Sequence, residues 1–237
     1  MQTVTLSLFR FNTLPGRLWV LWQMAIARPG LARLPGLSFF KLCGSGTGEG
    51  FTPRPNWAVW AILAVWRDPQ AARTAIDGPG PYARWRGRAD ESVVFHLSAR
   101  DVRGHWAGQR PFEAQADTGP GGPLAVLTRA TVRPSRAVRF WARSPDISAR
   151  IGADPNVLFK IGIGEVPLLQ QVTFSVWPDA RTMSAFARTG AHAAAVRAVR
   201  EEGWFTEELF ARFRLTHCEG HWNGAPPIPQ PIAKEAL

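Results

Sequence analysis

Phe159-Lys160-Ile161-Gly162-Ile163-Gly164-Glu165-Val166-Pro167-Leu168-Leu169-Gln170-Gln171-Val172-Thr173-Phe174-Ser175-Val176-Trp177 decides the fold, because the chain says something like it twice. Phe40-Lys41-Leu42-Cys43-Gly44-Ser45-Gly46 anticipates its opening. Ala64-Val65-Trp66-Arg67-Asp68 anticipates Ser175-Val176-Trp177-Pro178-Asp179. The earlier copy carries a longer insert, the Gly-rich run between its two matched pieces. A repeat this long is not a solenoid period and reads as two related half-domains in one chain.

Working outward from that stretch, Val157 to Ile163 and Leu168 to Trp177 read as strands. Pro178-Asp179 opens a helix that is interrupted at Gly190, and a second helical piece runs from 191 to about 202. Leu209 to Leu215 closes as a strand. Upstream, Leu124 to Arg133 is a strand, Pro134-Ser135 caps a helix carrying Val138, Trp141 and Ala142, and 146–156 is a turn-rich connector. The first copy repeats the order. Val4, Leu6 and Leu8 alternate with Thr3, Thr5 and Ser7, the period of a strand. Leu18, Leu21, Trp22, Ala25 and Ile26 follow helical spacing between Arg17, Arg28 and Arg33, the pattern of a helix packed on its own sheet or lying on a membrane. Leu37 to Cys43 is a strand. Trp57 to Trp66 is another, apolar on both faces and so expected to be buried on both. Asp68-Pro69 opens a helix that breaks at Gly78 to Pro81 and resumes at Tyr82, and Ser92 to Leu97 is a strand.

Each half therefore reads β-α-β-β-α-β. The predicted class is α+β, with two tandem ferredoxin-like (βαββαβ) halves packed sheet on sheet into a dimeric-α+β-barrel-like body. The predicted division is a first half at 1–111, a linker at 112–123, a second half at 124–215 and a Pro-rich, loose tail at 216–237.

The composition is that of a folded protein: 46% hydrophobic and 19% charged, in 237 residues. The formal net charge is +10. Arginine dominates it and is scattered, which argues against a nucleic-acid surface and leaves anionic lipid, an acidic protein that docks to deliver something, or a solvated exterior. Eleven tryptophans suit either a core or a pocket for a large apolar ligand. Cys43 and Cys218 form neither a disulfide framework nor a Cys-x-x-Cys pair, which predicts a reducing, cytoplasmic setting. No signal peptide and no spanning helix are expected.

Five histidines are candidate ligands. His192 stands among Ala191, Ala193, Ala194 and Ala195, where a flat ligand can approach a helix, and the first copy has no histidine at the matching place. It is the candidate axial ligand of a haem iron, against the plainer reading of a partly buried surface histidine. His217, Glu219 and His221 form a rival set of two imidazoles and a carboxylate, suited to non-haem iron. His96 and His105 read as structural, and Cys43 as a buried thiol within a strand. Glu201, Glu202, Glu207 and Glu208 bracket Gly203-Trp204-Phe205, as an acid/base pair or as solvated helix-end charges. The run Gly44 to Gly50 is not a phosphate cradle, since its glycines miss the G-x-G-x-x-G spacing and no Gly-Lys-Ser/Thr is present; it reads as a loop or bulge.

FFKLCGSGTGEGFTP at 39–53, DISARIGADPNVLFKIGIGEVP at 146–167 and EEGWFTEELFARF at 201–213, with the opening MQTVTLSLFRF, resemble the spheroidene monooxygenase family of purple photosynthetic bacteria. The resemblance covers roughly 1–215, and such long runs are far more specific than a short motif. It implies an O2-dependent enzyme that places a keto group at C-2 of spheroidene and of hydroxylated acyclic carotenoids. It also implies haem b as cofactor and reduced ferredoxin as electron donor. The resemblance carries no axial ligand with it. His192 remains a reading from the residues, in line with the histidine that related dimeric α+β barrel haem proteins place on a helix of the C-terminal half. A membrane-resident polyene would call for an apolar tunnel and a basic surface docked peripherally on an anionic photosynthetic membrane. A non-catalytic haem or carotenoid carrier of the same fold is the remaining alternative.

Overall fold

The computed structural model describes residues 1–48, 50, 52–116, 122–142, 155–188 and 203–228. The elements in chain order are β1 (Thr3–Arg10), α1 (Leu14–Ile26), α2 (Arg28–Ala32), β2 (Leu37–Gly46), β3 (Pro55–Trp66), α3 (Pro69–Asp77), α4 (Pro81–Arg86) and β4 (Glu91–Gly104). There follow β5 (Leu124–Val132), a 3-10 turn (Pro134–Arg136), β6 (Phe159–Gly164), β7 (Gln170–Trp177), α5 (Ala180–Arg188) and β8 (Phe205–Gly220).

The strands close into one barrel in the order β1-β3-β2-β6-β7-β5-β8-β4, with every neighbouring pair antiparallel. Within it the order β4-β1-β3-β2 of the first four strands recurs as β8-β5-β7-β6 in the last four. The two groups join edge to edge rather than stacking face to face. Closure removes sheet edges whose unpaired N–H and C=O groups would otherwise need covering.

Strand alternation builds two layers. Val59, Ala61, Leu63 and Val65 of β3 face the barrel interior with Val4, Leu6 and Leu8 of β1. The intervening Trp60, Ile62, Ala64 and Trp66 face outward, onto a second core with Ala72, Ile76, Tyr82 and Trp85 of α3 and α4. The polar side of β1 is therefore covered as well: Thr5 is fully buried and its hydroxyl accepts the Trp66 indole N–H at 2.9 Å. Phe95, Phe159 and Phe174 fill the interior with ring centroids 4.9 to 6.3 Å apart. Each such buried ring contributes on the order of 2 kcal/mol.

The helix openings form as the sequence predicts. The Asp68 carboxylate accepts the Ala71 amide at 2.7 Å and caps α3. Asp179 accepts the Thr182 amide at 2.7 Å at the start of α5. Satisfying an otherwise orphaned amide is what makes Asp a good cap.

Several expectations change. The strand expected to end at Leu215 runs on to Gly220, and beyond it Trp222 and Ile228 are buried in the barrel core. β4 likewise runs to Gly104, past the expected Leu97. Trp57 begins a strand that is buried from Val59 onward, but Trp57 itself is 53% exposed. The helix of the first half is two elements, and α1 buries only Val20 and Gln23. Trp19 and Met24 pack against the core, but Leu14, Leu18, Leu21, Trp22 and Ile26 point away from the sheet.

Candidate functional site

The weakest seam of the barrel is β2 against β6. It pairs only Gly44 with Gly164 and Ser45 with Ile163. The Ser45 hydroxyl adds a bond to the Gly162 carbonyl at 2.8 Å. The Gly-rich run after β2 folds back over β6 at this point. Gly50, at φ 93°, lies so close to Gly162 that a β-carbon on Gly50 would enter the Gly162 carbonyl. The glycines permit backbone-on-backbone packing, a definite role for the run read as a loop or bulge.

Outside this seam lies a groove of about 250 Å³. Its walls include Leu21 and Met24 of α1, Trp57 and Trp60 of β3, and Trp141 and Leu168 from the second half. The indole N–H of Trp60 donates to the Trp57 carbonyl and that of Trp141 to the Leu168 carbonyl, each at 2.9 Å. Both polar handles are thus satisfied by backbone. Glu165 on the wall is held by Lys41 at 2.7 Å and by the Trp106 indole at 2.6 Å. A groove whose indoles and Glu165 are already paired can receive hydrocarbon along those walls without stranding their hydrogen bonds. Its size suits a segment of a long chain rather than a whole one. A second hollow, about 460 Å³ at one barrel end, is lined by Arg10, Ser45, Asn56, Lys160 and Asn223 and is polar.

Both barrel ends carry one motif, which the sequence reading passed over. Gly104-His105-Trp106-Ala107-Gly108 follows β4, and Gly220-His221-Trp222-Asn223-Gly224 follows β8. In each, the tryptophan is buried and the residue after it takes positive φ, 51° at Ala107 and 56° at Asn223. Glu207 accepts the amides of Ala107 and Gly108 and pairs with Arg129, which is buried. Burial works to raise the Glu207 pKa, but those two amides and Arg129 outweigh it and hold the carboxyl below its ordinary value. Glu91 accepts the amides of Asn223 and Gly224 and pairs with Arg10 at 2.9 Å, whose guanidinium stacks 4.4 Å from the Trp222 ring. The Gly-His-Trp-x-Gly repeat was visible in the sequence. It ties Glu207, on β8, to the structural turn that follows β4.

The rival iron set does not assemble. His217 and Glu219 meet at 3.7 Å, but the third member near them is His96, whose Nε2 lies 3.3 Å from Glu219. His221 is exposed beyond the turn. Burial, with the nearby His96 charge second, lowers the His217 pKa, and the bond to His96 leads the causes that hold Glu219 low. Among the described residues no group of three or more His, Cys, Asp or Glu side chains is arranged to hold a metal ion. His105 is exposed and accepts from Arg110 at 3.2 Å. Cys43 is fully buried in the barrel, and burial pushes its thiol far up, away from the thiolate a haem iron would need.

His192, Glu201 and Glu202 lie outside the described residues. On the outer face of the second half, Val126, Trp177 and Met183 form an apolar cluster with Phe186 and Phe210 packed against it. Met183 and Phe186 belong to α5, which ends shortly before His192 in the chain.

No family model matches the chain. It is 52% identical over 234 residues to the spheroidene monooxygenase of Cereibacter sphaeroides, covering 98% of this chain and 72% of that protein. It is 50% identical over 235 residues to the spheroidene monooxygenase of Rhodobacter capsulatus, covering 98% of each. Among solved structures, aldoxime dehydratase aligns with a TM-score of 0.58 at 11% identity, over 90% of this chain and 81% of that one, a likeness of fold alone.

Proposed function

The chain belongs to the spheroidene monooxygenase family, and on that premise we propose that it oxidises acyclic carotenoids, spheroidene and its hydroxylated relatives, to their 2-keto forms. The carrying observation is half-identity to a named monooxygenase along nearly the whole length of both chains. Two oxygen insertions at C-2 give a gem-diol, which loses water to the ketone. Each insertion consumes one O2 and two electrons, and reduced ferredoxin is the proposed source. In this reading the groove at the β2·β6 seam grips a stretch of the polyene away from C-2, and the indole N–H groups of Trp60 and Trp141 are already paired to backbone. We further read the fold as a fusion of two ferredoxin-like units, on the recurring strand order and the repeated Gly-His-Trp-x-Gly turn.

Haem b is the proposed cofactor and His192 its proposed axial ligand. What supports this reading is chemical: an apolar macrocycle needs non-polar walls and one imidazole, and Met183 and Phe186 of α5, near His192 in the chain, belong to an apolar cluster. When bound, the haem would supply O2 activation; the chain's own part is to orient the polyene and exclude water. The lack of an assembled metal set among the described histidines favours this over the non-haem alternative.

The test is the visible spectrum and turnover of protein expressed with ample haem. The expected result is a Soret band that survives His217→Ala and Glu219→Gln but is lost in His192→Ala, together with O2-dependent conversion of spheroidene by reduced ferredoxin. No Soret band in the unmodified protein sinks the haem reading. Haem binding without turnover makes the chain a carrier. Truncation at 216 is not a usable control, because it removes the end of β8 and the buried Trp222 and Ile228.

A further inference from the structure

α1 displays an apolar stripe that the fold leaves uncovered. Leu14, Leu18, Leu21, Trp22 and Ile26 recur on one helical face, and they are 69%, 60%, 44%, 63% and 48% exposed. The stripe is roughly 18 Å long at the helical rise. The helix is held from its other side by Val20 and Gln23, and by Trp19 against Phe11 and Trp85. Monomeric proteins usually scatter exposed apolar side chains rather than align them. The stripe continues into the mouth of the groove, since Leu21 lines both, and Trp57 and Leu168 at that mouth are 53% and 46% exposed.

The segment that carries the stripe has charge of one sign. From residue 1 to residue 48 the sequence holds no aspartate or glutamate, while Arg10, Arg17, Arg28, Arg33 and Lys41 are basic. Arg28 and Arg33 are exposed just past the end of α1, and Arg54 is exposed on the groove wall. A helix with an aligned apolar face and a basic surround matches the helices that lie in the headgroup region of an anionic bilayer. A second copy of this chain is a poorer occupant, because a symmetric contact would bring together two copies of a basic segment with no acid in it to pair with the arginines.

We propose that α1, with Trp57 and Leu168, is a lipid-docking face that rests on anionic bilayer and lets a membrane-dissolved hydrocarbon pass into the groove. The substrate part rests on the monooxygenase reading above; the docking part does not. Leu18 and Trp22 sink into the acyl boundary, the arginines meet lipid phosphates, and the groove opens toward the hydrocarbon.

The test is co-sedimentation with vesicles of phosphatidylglycerol and phosphatidylcholine, compared with vesicles of phosphatidylcholine alone. The protein is expected to bind the anionic vesicles, less so as salt rises. Leu18→Ser/Trp22→Ser is expected to weaken that binding at least tenfold, and Arg28→Ala/Arg33→Ala severalfold, on anionic vesicles only. All four side chains are exposed, so both variants should melt like the parent; Trp22→Phe, which should keep most binding, checks that the loss follows hydrophobicity. Turnover of carotenoid from detergent micelles should be unchanged in Leu18→Ser/Trp22→Ser, while turnover from vesicles falls. Absence of vesicle binding by the parent overturns the proposal, as does full binding by the double variant. A parent dimer that this variant splits, with no vesicle binding, assigns the stripe to self-association instead. If micellar turnover is missing in the parent itself, it is the enzyme reading that has failed, and vesicle binding still judges the docking face.

Discussion

Glu91 and Glu207 do the same work at opposite ends of the barrel. Each accepts two successive amides of the turn that follows the other's strand, and each holds an arginine. The β4·β8 ladder, which pairs Val93 with Gly220 and Gly104 with Leu209, puts the start of each strand beside the end of the other. One carboxylate thus closes each end of the longest seam.

Glu207 and Glu91 are similarly exposed, but the arginines they hold are not, and their removal should not cost the same. Arg129 is 1% exposed, whereas Arg10 and Glu91 are 26% and 20% exposed. Glu207→Ala strands a buried guanidinium and is expected to cost on the order of 3 kcal/mol in urea unfolding. Glu91→Ala should cost about 1 kcal/mol, as for a pair open to water. The Glu207 carboxyl is held low in the folded chain, so its stabilisation is complete above the unfolded carboxylate pKa of about 4.3 and is lost as pH falls through the folded value. The parent should therefore lose stability in acid more steeply than Glu207→Ala. Equal costs for the two variants, or parallel acid profiles, would contradict this account of the barrel ends.

Gly50→Ala should open the seam between β2 and β6. Its β-carbon collides with the Gly162 carbonyl, and φ of 93° is strained for alanine whatever the space. Gly162→Ala meets the Gly50 carbonyl at 2.5 Å and should act on the same contact from the other side. Each is expected to cost roughly 1–3 kcal/mol, and the double variant less than the two costs combined, because both break one approach. Thermal melts of the three proteins check this. Full additivity would mean that the glycine run and β6 do not share a contact.

The parts of the fold legible in the sequence are those governed by local rules. Asp68-Pro69 and Pro178-Asp179 announce their helices because capping is settled within four residues. The β-α-β-β-α-β order of the first half follows from periodicity and is observed there, each helical segment in two pieces. Edge-to-edge closure was not legible, since periodicity tells which residues share a face but not which strand edges meet. The end of β8 was lost for a related reason. His217, Cys218 and Glu219 look polar and terminal, yet Cys218 is buried enough for its thiol to be pushed up to about 12, and Glu219 is tied to His96 on the neighbouring strand. α1 misled in the other direction. Its helical period was read correctly, but an apolar face on a helix does not say whether it meets a sheet or something outside the molecule. Of the site, the Trp57-to-Trp66 strand signalled one wall of the groove; the other wall comes from Trp141 and Leu168, joined to it only by barrel closure.

Trp141 offers the most direct test of that groove as the substrate site. It is half-buried, lies on the wall, and is fixed by its bond to the Leu168 carbonyl at 2.9 Å. An aromatic wall contact of this kind is worth about 1.5 kcal/mol to a hydrocarbon ligand, near a tenfold change. Trp141→Ala is expected to lower kcat/KM for an acyclic carotenoid about tenfold, mostly through KM. The groove binds chain remote from the reacting carbon, and such contacts are felt equally in ground and transition states. Trp141→Phe should recover most of the loss, because it keeps the ring and gives up only the indole hydrogen bond. Val138→Ala supplies the control: Val138 is 84% exposed and does not line the groove, so the change should leave the kinetics unaltered. Steady-state kinetics on detergent-dispersed substrate decides the matter. A Trp141→Ala enzyme with parental KM would place the polyene elsewhere, and a fall in kcat alone would put the indole beside the reacting carbon instead of along the chain.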